Sequence, residues 1–334
     1  MNKVISLAHG DGGELSHRLI RDLFVKNFGH YKEAMFDASY IQLPANNIAV
    51  TTDSFVVKPL FFPDCSIGKL AVAGTVNDLA VSGAKPLYLT CGFVIEEGFS
   101  VNDLEKIVSD MANEAKAAGI SIIAGDTKVV EKGSCDGVYI NTTGIGIIQR
   151  QNVIPNFKSG DAIILSGTLG DHGIAILTAR GELGIHVPVA SDCSSLNSML
   201  EDAVQAAGDV RIMRDPTRGG LATTLVEIAE DFSLSLVICE KDIPVKEQVQ
   251  GACDLLGFDP LYLANEGKAI IIVESEKKDA VLHALHMYPE GKDAVCIGKV
   301  VKTEQPSGQL YLETLLGTKR RINRLAGVML PRIC

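Results

Sequence analysis

Ile67-Gly68-Lys69-Leu70-Ala71-Val72-Ala73-Gly74-Thr75-Val76-Asn77-Asp78-Leu79-Ala80-Val81-Ser82 is apolar nearly all round, closed by Gly83 and followed by Pro86. This pattern predicts a buried helix over Ile67–Ser82. Its anomaly is Asp78. A carboxylate inside such a helix costs several kcal/mol unless it is hydrogen-bonded, paired or bound to a cation. Strand-like runs lie on either side. Ile48–Val57 is rich in Val and Thr, and Leu87–Ile95 follows Pro86.

The alternation continues along the chain. Glu14–Phe28 carries Leu15, Leu19, Leu23 and Phe28 at near-helical spacing, and Val101–Ala118 is amphipathic between Ser100 and Gly119. Ser121–Ala124 and Val138–Ile148 predict further strands. The polar, turn-rich stretch from Gln149 to Asp161 marks a domain boundary. Beyond it come strand Ala162–Leu165, helices Ile174–Ala179, Leu196–Ala206 and Leu221–Phe232, and strand Leu234–Cys239. Strand Ala269–Val273, helix Lys277–Met287 and strand Val295–Val301 complete the pattern. The expectation is an α/β (α+β) chain of two domains, 1–150 and 151–317, with a basic C-terminal tail, 318–334. No sequence repeat or low-complexity tract interrupts it.

The chain has 334 residues and a formal net charge of −10. Such an acidic balance argues against a nucleic-acid surface. No apolar run is long enough for a membrane span and no signal peptide is recognisable, which points to the cytoplasm. None of the 8 cysteines makes a C-x-x-C pair, so zinc and thioredoxin readings are weak and free thiols are expected. Cys91, Cys239 and Cys296 lie in apolar runs and read as core. Cys334 is different, because it is the last residue. After Glu313 the chain has no acid, while Lys319, Arg320, Arg321, Arg324 and Arg332 make the tail basic. Two readings stand: a solvated tail with an incidental thiol, or a reagent on an arm that docks on acidic surface.

Candidate chemistry gathers around acids. Asp53 ends the run Ile48–Thr52 and Asp126 ends Ile122–Gly125, so both are expected where an apolar strand runs out, the usual ligand position in α/β folds. With Asp78 they suggest a Mg²⁺ site, which favours hard oxygen ligands and substrate phosphates. His9-Gly10-Asp11-Gly12-Gly13 precedes the first helix, where backbone amides can meet a phosphate. It is not a Walker loop, and no dinucleotide fingerprint is present. Thr127 and Lys128 follow Asp126, and Lys128 suits phosphate as a point charge. Arg214-Asp215-Pro216-Thr217-Arg218-Gly219-Gly220-Leu221 is a turn leading into a helix, suited to phosphate and metal. Glu266, in Asn265-Glu266-Gly267-Lys268, is either a loop carboxylate or a general base raised by burial.

Taken together, Asn77-Asp78 with Gly83-Ala84-Lys85-Pro86, Gly125-Asp126-Thr127 and Asp215–Leu221 resemble the ATP-site signatures of the aminoimidazole-ribonucleotide synthetase (PurM-like) superfamily. His9–Gly13, Asn265-Glu266-Gly267 and the closing Pro331-Arg332-Ile333-Cys334 resemble its hydrogenase-maturation branch. The resemblance spans essentially the whole chain. It implies a two-domain AIR-synthase-like fold with a flexible tail, and a homodimer built through the N-terminal sheets. ATP and Mg²⁺ are the implied cofactors. Gly10, Asp11, Gly12, Gly13, Asp53, Asn77, Asp78, Asp126, Thr127, Lys128, Asp215 and Thr217 are the implied nucleotide contacts, with Asp53, Asp78, Asp126 and Asp215 on the metal. The implied reaction is a lyase-type, ATP-dependent dehydration of an S-carboxamide on Cys334 to a thiocyanate, with Glu266 and Lys128 catalytic. By the same resemblance, a carbamoyltransferase, HypF, is expected to supply the carbamoyl group and a HypC–HypD complex to accept the cyanide ligand destined for nickel–iron hydrogenase.

Rival readings are another enzyme of the superfamily, such as a purine-pathway synthetase, a thiamine-phosphate kinase or a selenide kinase, or a nucleotide-binding scaffold without turnover. The absence of any cysteine before Cys65 counts against the selenide kinase.

Overall fold

The structure, a computed structural model, describes residues 4–10, 14–29, 43, 47–149, 155–181, 184, 187–301 and 308–324. It opens with α1 (Glu14–Leu19), a π-helical stretch (Ile20–Val25) and a last turn, α2 (Lys26–Phe28). Then follow β1 (Ile48–Phe55), the short hairpin β2 (Phe61–Phe62) and β3 (Cys65–Ser66), α3 (Ile67–Val81), β4 (Ala84–Glu96), α4 (Val101–Ala118), β5 (Ser121–Val130) and β6 (Val138–Ile148). The remainder comprises β7 (Ala162–Leu165), α5 (Asp171–Arg180), α6 (Asn197–Ala207), β8 (Ile212–Arg214), α7 (Gly220–Asp231), β9 (Ser235–Cys239), α8 (Glu247–Leu256), β10 (Ile270–Val273), α9 (Lys278–His286), β11 (Val295–Val301), β12 (Gln309–Glu313) and β13 (Lys319–Ile322).

Two sheets organise these elements. The first runs β1-β6-β4-β5, and the second β13-β12-β9-β11-β7-β10-β8. Along β1 exposure alternates, with Phe55 buried and Val50 60 % exposed. The period-2 alternation puts Thr51, Asp53 and Phe55 on the face covered by α3, and Val50, Thr52 and Ser54 on the opposite face. Phe55, Phe93 and Ile140 from the sheet share one core with Leu70 and Val76 of α3 and Leu104 and Ile107 of α4. The all-apolar reading of α3 is thereby explained, since the helix lies between the sheet and α4, and only Lys69, Asp78 and the terminal Val81 within it are not fully buried.

The second sheet is covered on both faces. Ile163, Leu165, Ile270 and Ile272 pack with Leu221, Leu225 and Ile228 of α7. Ile164, Ile271 and Val273 pack with Met199 and Leu200 of α6 and Leu285 of α9. Strands β7 and β10 are therefore buried at every residue, which is why they read as unbroken apolar runs.

Four sequence expectations are corrected. β5 continues to Val130, so Asp126 and Lys128 stand within a strand, and β1 likewise continues past Asp53 to Phe55. The polar residues belong to these strands because only one face of the first sheet is buried. Helix α8 has no counterpart in the sequence reading. The stretch expected as tail from 318 begins as a strand: β13 pairs antiparallel with β12, and Arg320 meets Asp259 at 3.4 Å. Arg324 pairs with Glu230 at 2.5 Å. Residues from 325 on, Cys334 included, lie outside the described residues, as do Asp11, Gly12 and Gly13. Among the described residues no helix is long and apolar enough to cross a membrane.

Candidate active site

A cavity of about 1000 Å³ opens between the two sheets, lined by Thr51 of β1 and Asp78 of α3 on one side and by Arg214 of β8 and Asp215, Thr217 and Arg218 of the turn after it on the other. One hydrogen bond holds the acid of α3 in place there. The Thr51 hydroxyl of β1 donates to Asp78 Oδ2 at 2.9 Å. The β1 alternation also places Asp53 on the same helix-covered face. The Asp78 carboxyl lies above its ordinary range, chiefly through burial and further through Asp53, against the lowering pull of the Thr51 bond, Arg214 and Arg218. Burial, then Asp78, pushes Asp215 up to about 6, with Asp53 adding to the rise. Two carboxylates at the cavity, with Asp53 near them, repel one another and would be favoured by a cation, and the two guanidiniums beside them suit an anion.

The donor chemistry therefore fits a Mg²⁺–phosphate complex held by hard oxygens. Yet among the described residues no group of three His, Cys, Asp or Glu side chains converges tightly enough to hold a metal ion. Asp126 explains part of this. Register rows connect Asp53 through Thr142 and Cys91 to Gly125, the neighbour of Asp126. β1 and β5 are the two opposite edges of the first sheet, roughly 14 Å apart at ~4.8 Å per strand. Asp126, Thr127 and Lys128 instead line a separate cavity of about 230 Å³ with Gly10, Cys91 and Phe93. There Lys128 Nζ lies 3.4 Å from Asp126 Oδ2, both exposed. Gly10 packs tightly here, since an added Cβ would sit 3.0 Å from Val129 N.

Glu266 is buried below α3, with its Oε2 4.0 Å from the position a Cβ on Gly74 would take. Two hydrogen bonds fix its backbone. Its N–H donates to Asp192 Oδ1 at 3.2 Å, and its carbonyl accepts from Asn77 Nδ2 at 3.3 Å. Gly267 allows the close approach, since a Cβ there would fall 1.7 Å from Asp192 O. Burial raises the Glu266 carboxyl well above its ordinary range, and Asp215, Asp192 and Asp53 raise it further. A carboxylate so raised is a stronger base than an exposed one.

The comparisons with known proteins follow the same lines. Models of AIR synthase related proteins match the chain twice, the N-terminal domain over residues 36–148 and the C-terminal domain over 158–310. A Rhodobacter capsulatus protein named carbamoyl dehydratase HypE is 44% identical over 335 residues, covering 99% of this chain and 98% of its own length. The chain belongs to the HypE carbamoyl dehydratase family. A crystal structure of the hydrogenase maturation protein HypE in complex with ATP matches with a TM-score of 0.93 at 45% identity, covering 98% of this chain and 99% of that one. A crystal structure of a HypE–HypF complex matches with a TM-score of 0.80 at 47% identity, covering 92% of this chain and 99% of that one. The fold is thus the AIR-synthase fold, as the motifs implied.

Within this member of the HypE family the expected site residues divide into groups. Asp78, Asp215 and Thr217 line the large cavity, and Asp53 and Glu266 lie near enough to act on the charge of Asp215 or to feel it. Gly10, Asp126, Thr127 and Lys128 sit at the far edge of the first sheet. Asn77 faces neither cavity. Its Nδ2 also donates to Ser194 O at 3.0 Å and its Oδ1 accepts from Leu196 N–H at 2.8 Å, so the amide staples α3 to the Glu266 segment. Asn265 does similar work: it donates to Pro216 O at 3.1 Å and accepts from Gly170 N–H at 2.8 Å, locking the Asp215 turn beside Glu266. Sequence reasoning missed Asp192 and Lys268, a buried pair at 3.4 Å. Lys268 directly follows the Asn265-Glu266-Gly267 motif. Asp192 lies in an ordinary polar loop, with no local signal.

Proposed function

We propose that the chain converts an S-carboxamide on its own Cys334 into a thiocyanate at the expense of ATP. The observation that supports this most is the acid- and arginine-lined cavity, in a fold that a relative of 45% identity shares while bound to ATP. In balanced form, R–S–C(=O)NH₂ and ATP give R–S–C≡N, ADP and phosphate. The amide oxygen attacks the γ-phosphorus and expels ADP, which turns a poor leaving group into a good one. Loss of two N–H protons and of phosphate then forms the nitrile. Buried and basic, Glu266 takes up a proton from nitrogen, while Arg214, Arg218 and Lys128 offset phosphate charge. Asp53, Asp78, Asp126 and Asp215 would hold Mg²⁺, which supplies charge neutralisation on the phosphates. From Arg324, 10 residues remain to Cys334, a reach of at most ~35 Å.

The far-edge position of Asp126 and Lys128 supports a homodimer. Strands β1 and β5 are the two edge strands of the first sheet, and Ile48 and Val50 of β1 are exposed. A second copy set edge to edge would bring its Asp126, Thr127 and Lys128 to the Asp53 side of the first, completing a site that one chain leaves divided. HypF is the proposed carbamoyl donor, supported by the solved HypE–HypF complex. A HypC–HypD complex is the proposed acceptor and the cytoplasm the proposed compartment, both from the family resemblance.

The test is the mass of the C-terminal peptide after carbamoylation. Loss of the mass of water only when ATP is present supports the reading, and ATP consumption without that loss refutes it. Glu266→Gln is expected to block the water loss while leaving ATP binding intact.

A further inference from the structure

The loop between α5 and α6 binds several elements together. Ser191 N–H donates to Pro63 O at 3.1 Å, in the turn between β2 and β3, and Ser191 Oγ lies 2.9 Å from His172 Nδ1 of α5. The Asn77 amide of α3 donates to Ser194 O and accepts from Leu196 N–H. Ser195 N–H donates to Glu114 Oε1 of α4 at 2.9 Å. The last tie runs to the Glu266 segment, and a single carboxylate makes it. Asp192 Oδ1 accepts the Glu266 N–H at 3.2 Å, while its Oδ2 lies 3.4 Å from Lys268 Nζ. Lys268 Nζ also donates to Gly267 O at 3.3 Å. The stem of Lys268 passes Gly167, just after β7, where an added Cβ would meet its Cε at 2.9 Å. The side chains of Asp192 and Lys268 are 2 % and 8 % exposed. A buried ion pair is a weak stabiliser, because desolvation offsets the attraction, and its attested use is to fix one arrangement of the chain.

We propose that Asp192 is a positioning residue for the dehydration: through the Glu266 N–H and Lys268 it locks the bend at Glu266-Gly267 and so fixes where the Glu266 carboxyl stands. The reaction part rests on the function proposed above. Asp192 needs no contact with the substrate. Its carboxylate holds the backbone, and the held nitrogen is bonded to the Cα that carries the Glu266 side chain. Displacements on the order of 1 Å at a reacting group cost up to about a hundredfold in rate. The loop can impose such precision because its other ties, to the hairpin, α3, α4 and α5, leave Asp192 little freedom of its own.

The experiment compares full chains carbamoylated on Cys334. Asp192→Ala alone would leave Lys268 buried without a counter-charge, so the informative variants change both residues. Asp192→Ala with Lys268→Met removes the pair and the acceptor for the Glu266 N–H. Asp192→Asn with Lys268→Met removes the pair and keeps the acceptor. Both lack the Asp192 charge, which raises the Glu266 carboxyl, so a difference between them belongs to the grip on the N–H. The first should lose water about a hundredfold more slowly than wild type at saturating ATP, with the half-saturating ATP concentration unchanged. The second should recover about tenfold of that loss, the worth of one buried hydrogen bond. Equal rates in the two variants, near wild type or far below it, would overturn the proposal, as would a change confined to the half-saturating ATP concentration. Hydrogen exchange of the peptide covering 263–269 gives a reading that needs no turnover. It should quicken about tenfold in the first variant and stay near wild type in the second. Equal exchange in all three chains would overturn the proposal. A wild-type chain that loses no water counts against the proposed function alone.

Discussion

The two sheets of this chain follow opposite designs. The second is finished: α7 covers one face, α6 and α9 the other, and its central strands β7 and β10 hold no exposed residue. The first is covered on one face by α3 and α4, and its polar β1 and β5 are its edge strands. The residues expected to do chemistry gather on the unfinished sheet and at its junction with the finished one. Burial on both faces leaves no place for a ligand, whereas an open edge or a seam between layers does. Burial on both faces favours stability in the second sheet, while the open face and edges of the first leave room for a ligand or a partner.

That contrast can be broken in several places. Asp53→Asn and Asp126→Asn should each lower ATP-dependent dehydration about a thousandfold, some 4 kcal/mol in barrier, with melting temperatures near wild type. Equal loss of melting temperature would make these acids structural. Ile271→Ala, at a fully buried position between β10 and the α6/α9 layer, should cost ~3 kcal/mol in chemical denaturation. A cost below ~1 kcal/mol would show the second sheet to be less tightly packed than its burial indicates.

Asp215 gives a pH signature. Its folded pKa, about 6, lies above the ordinary 3.8, so the unfolded chain binds fewer protons between these values. Stability from this group is therefore present below about pH 4 and lost as pH rises through 6. Asp215→Asn should raise the stability of the nucleotide-free protein at pH 7.5 by ~2 kcal/mol and change it little at pH 4. An equal gain at both pH values would exclude charge as the cause. The smallest effect belongs to the open face. Val50→Thr, at a residue 60 % exposed, should alter folding stability by less than ~0.5 kcal/mol while weakening self-association measured by sedimentation.

Much of this was legible in the residues. The buried helix over 67–81, the strands flanking it and the acids in its neighbourhood follow from apolar runs and from one charge where none should be. The motif Asn265-Glu266-Gly267 also announced itself, although its reason did not. Asn265 locks the Asp215 turn, and Gly267 makes room for Asp192. Both facts depend on segments brought together only by folding. For the same reason Asp192 was invisible, as a polar residue in a polar loop. The extent of β5 was misjudged because Asp126 and Lys128 face away from any core, so their polarity looked like the end of a strand. The strand character of Lys319–Ile322 was hidden by three consecutive cations.

The division of the site between opposite sheet edges is tested most directly by mixing two inactive variants. Asp53→Asn and Asp126→Asn chains, allowed to exchange subunits, should recover about a quarter of wild-type dehydration under random pairing in a symmetric dimer, because each mixed dimer regains one complete site. No recovery, with mixed dimers shown to have formed, would place all four acids' work within a single chain and contradict the account.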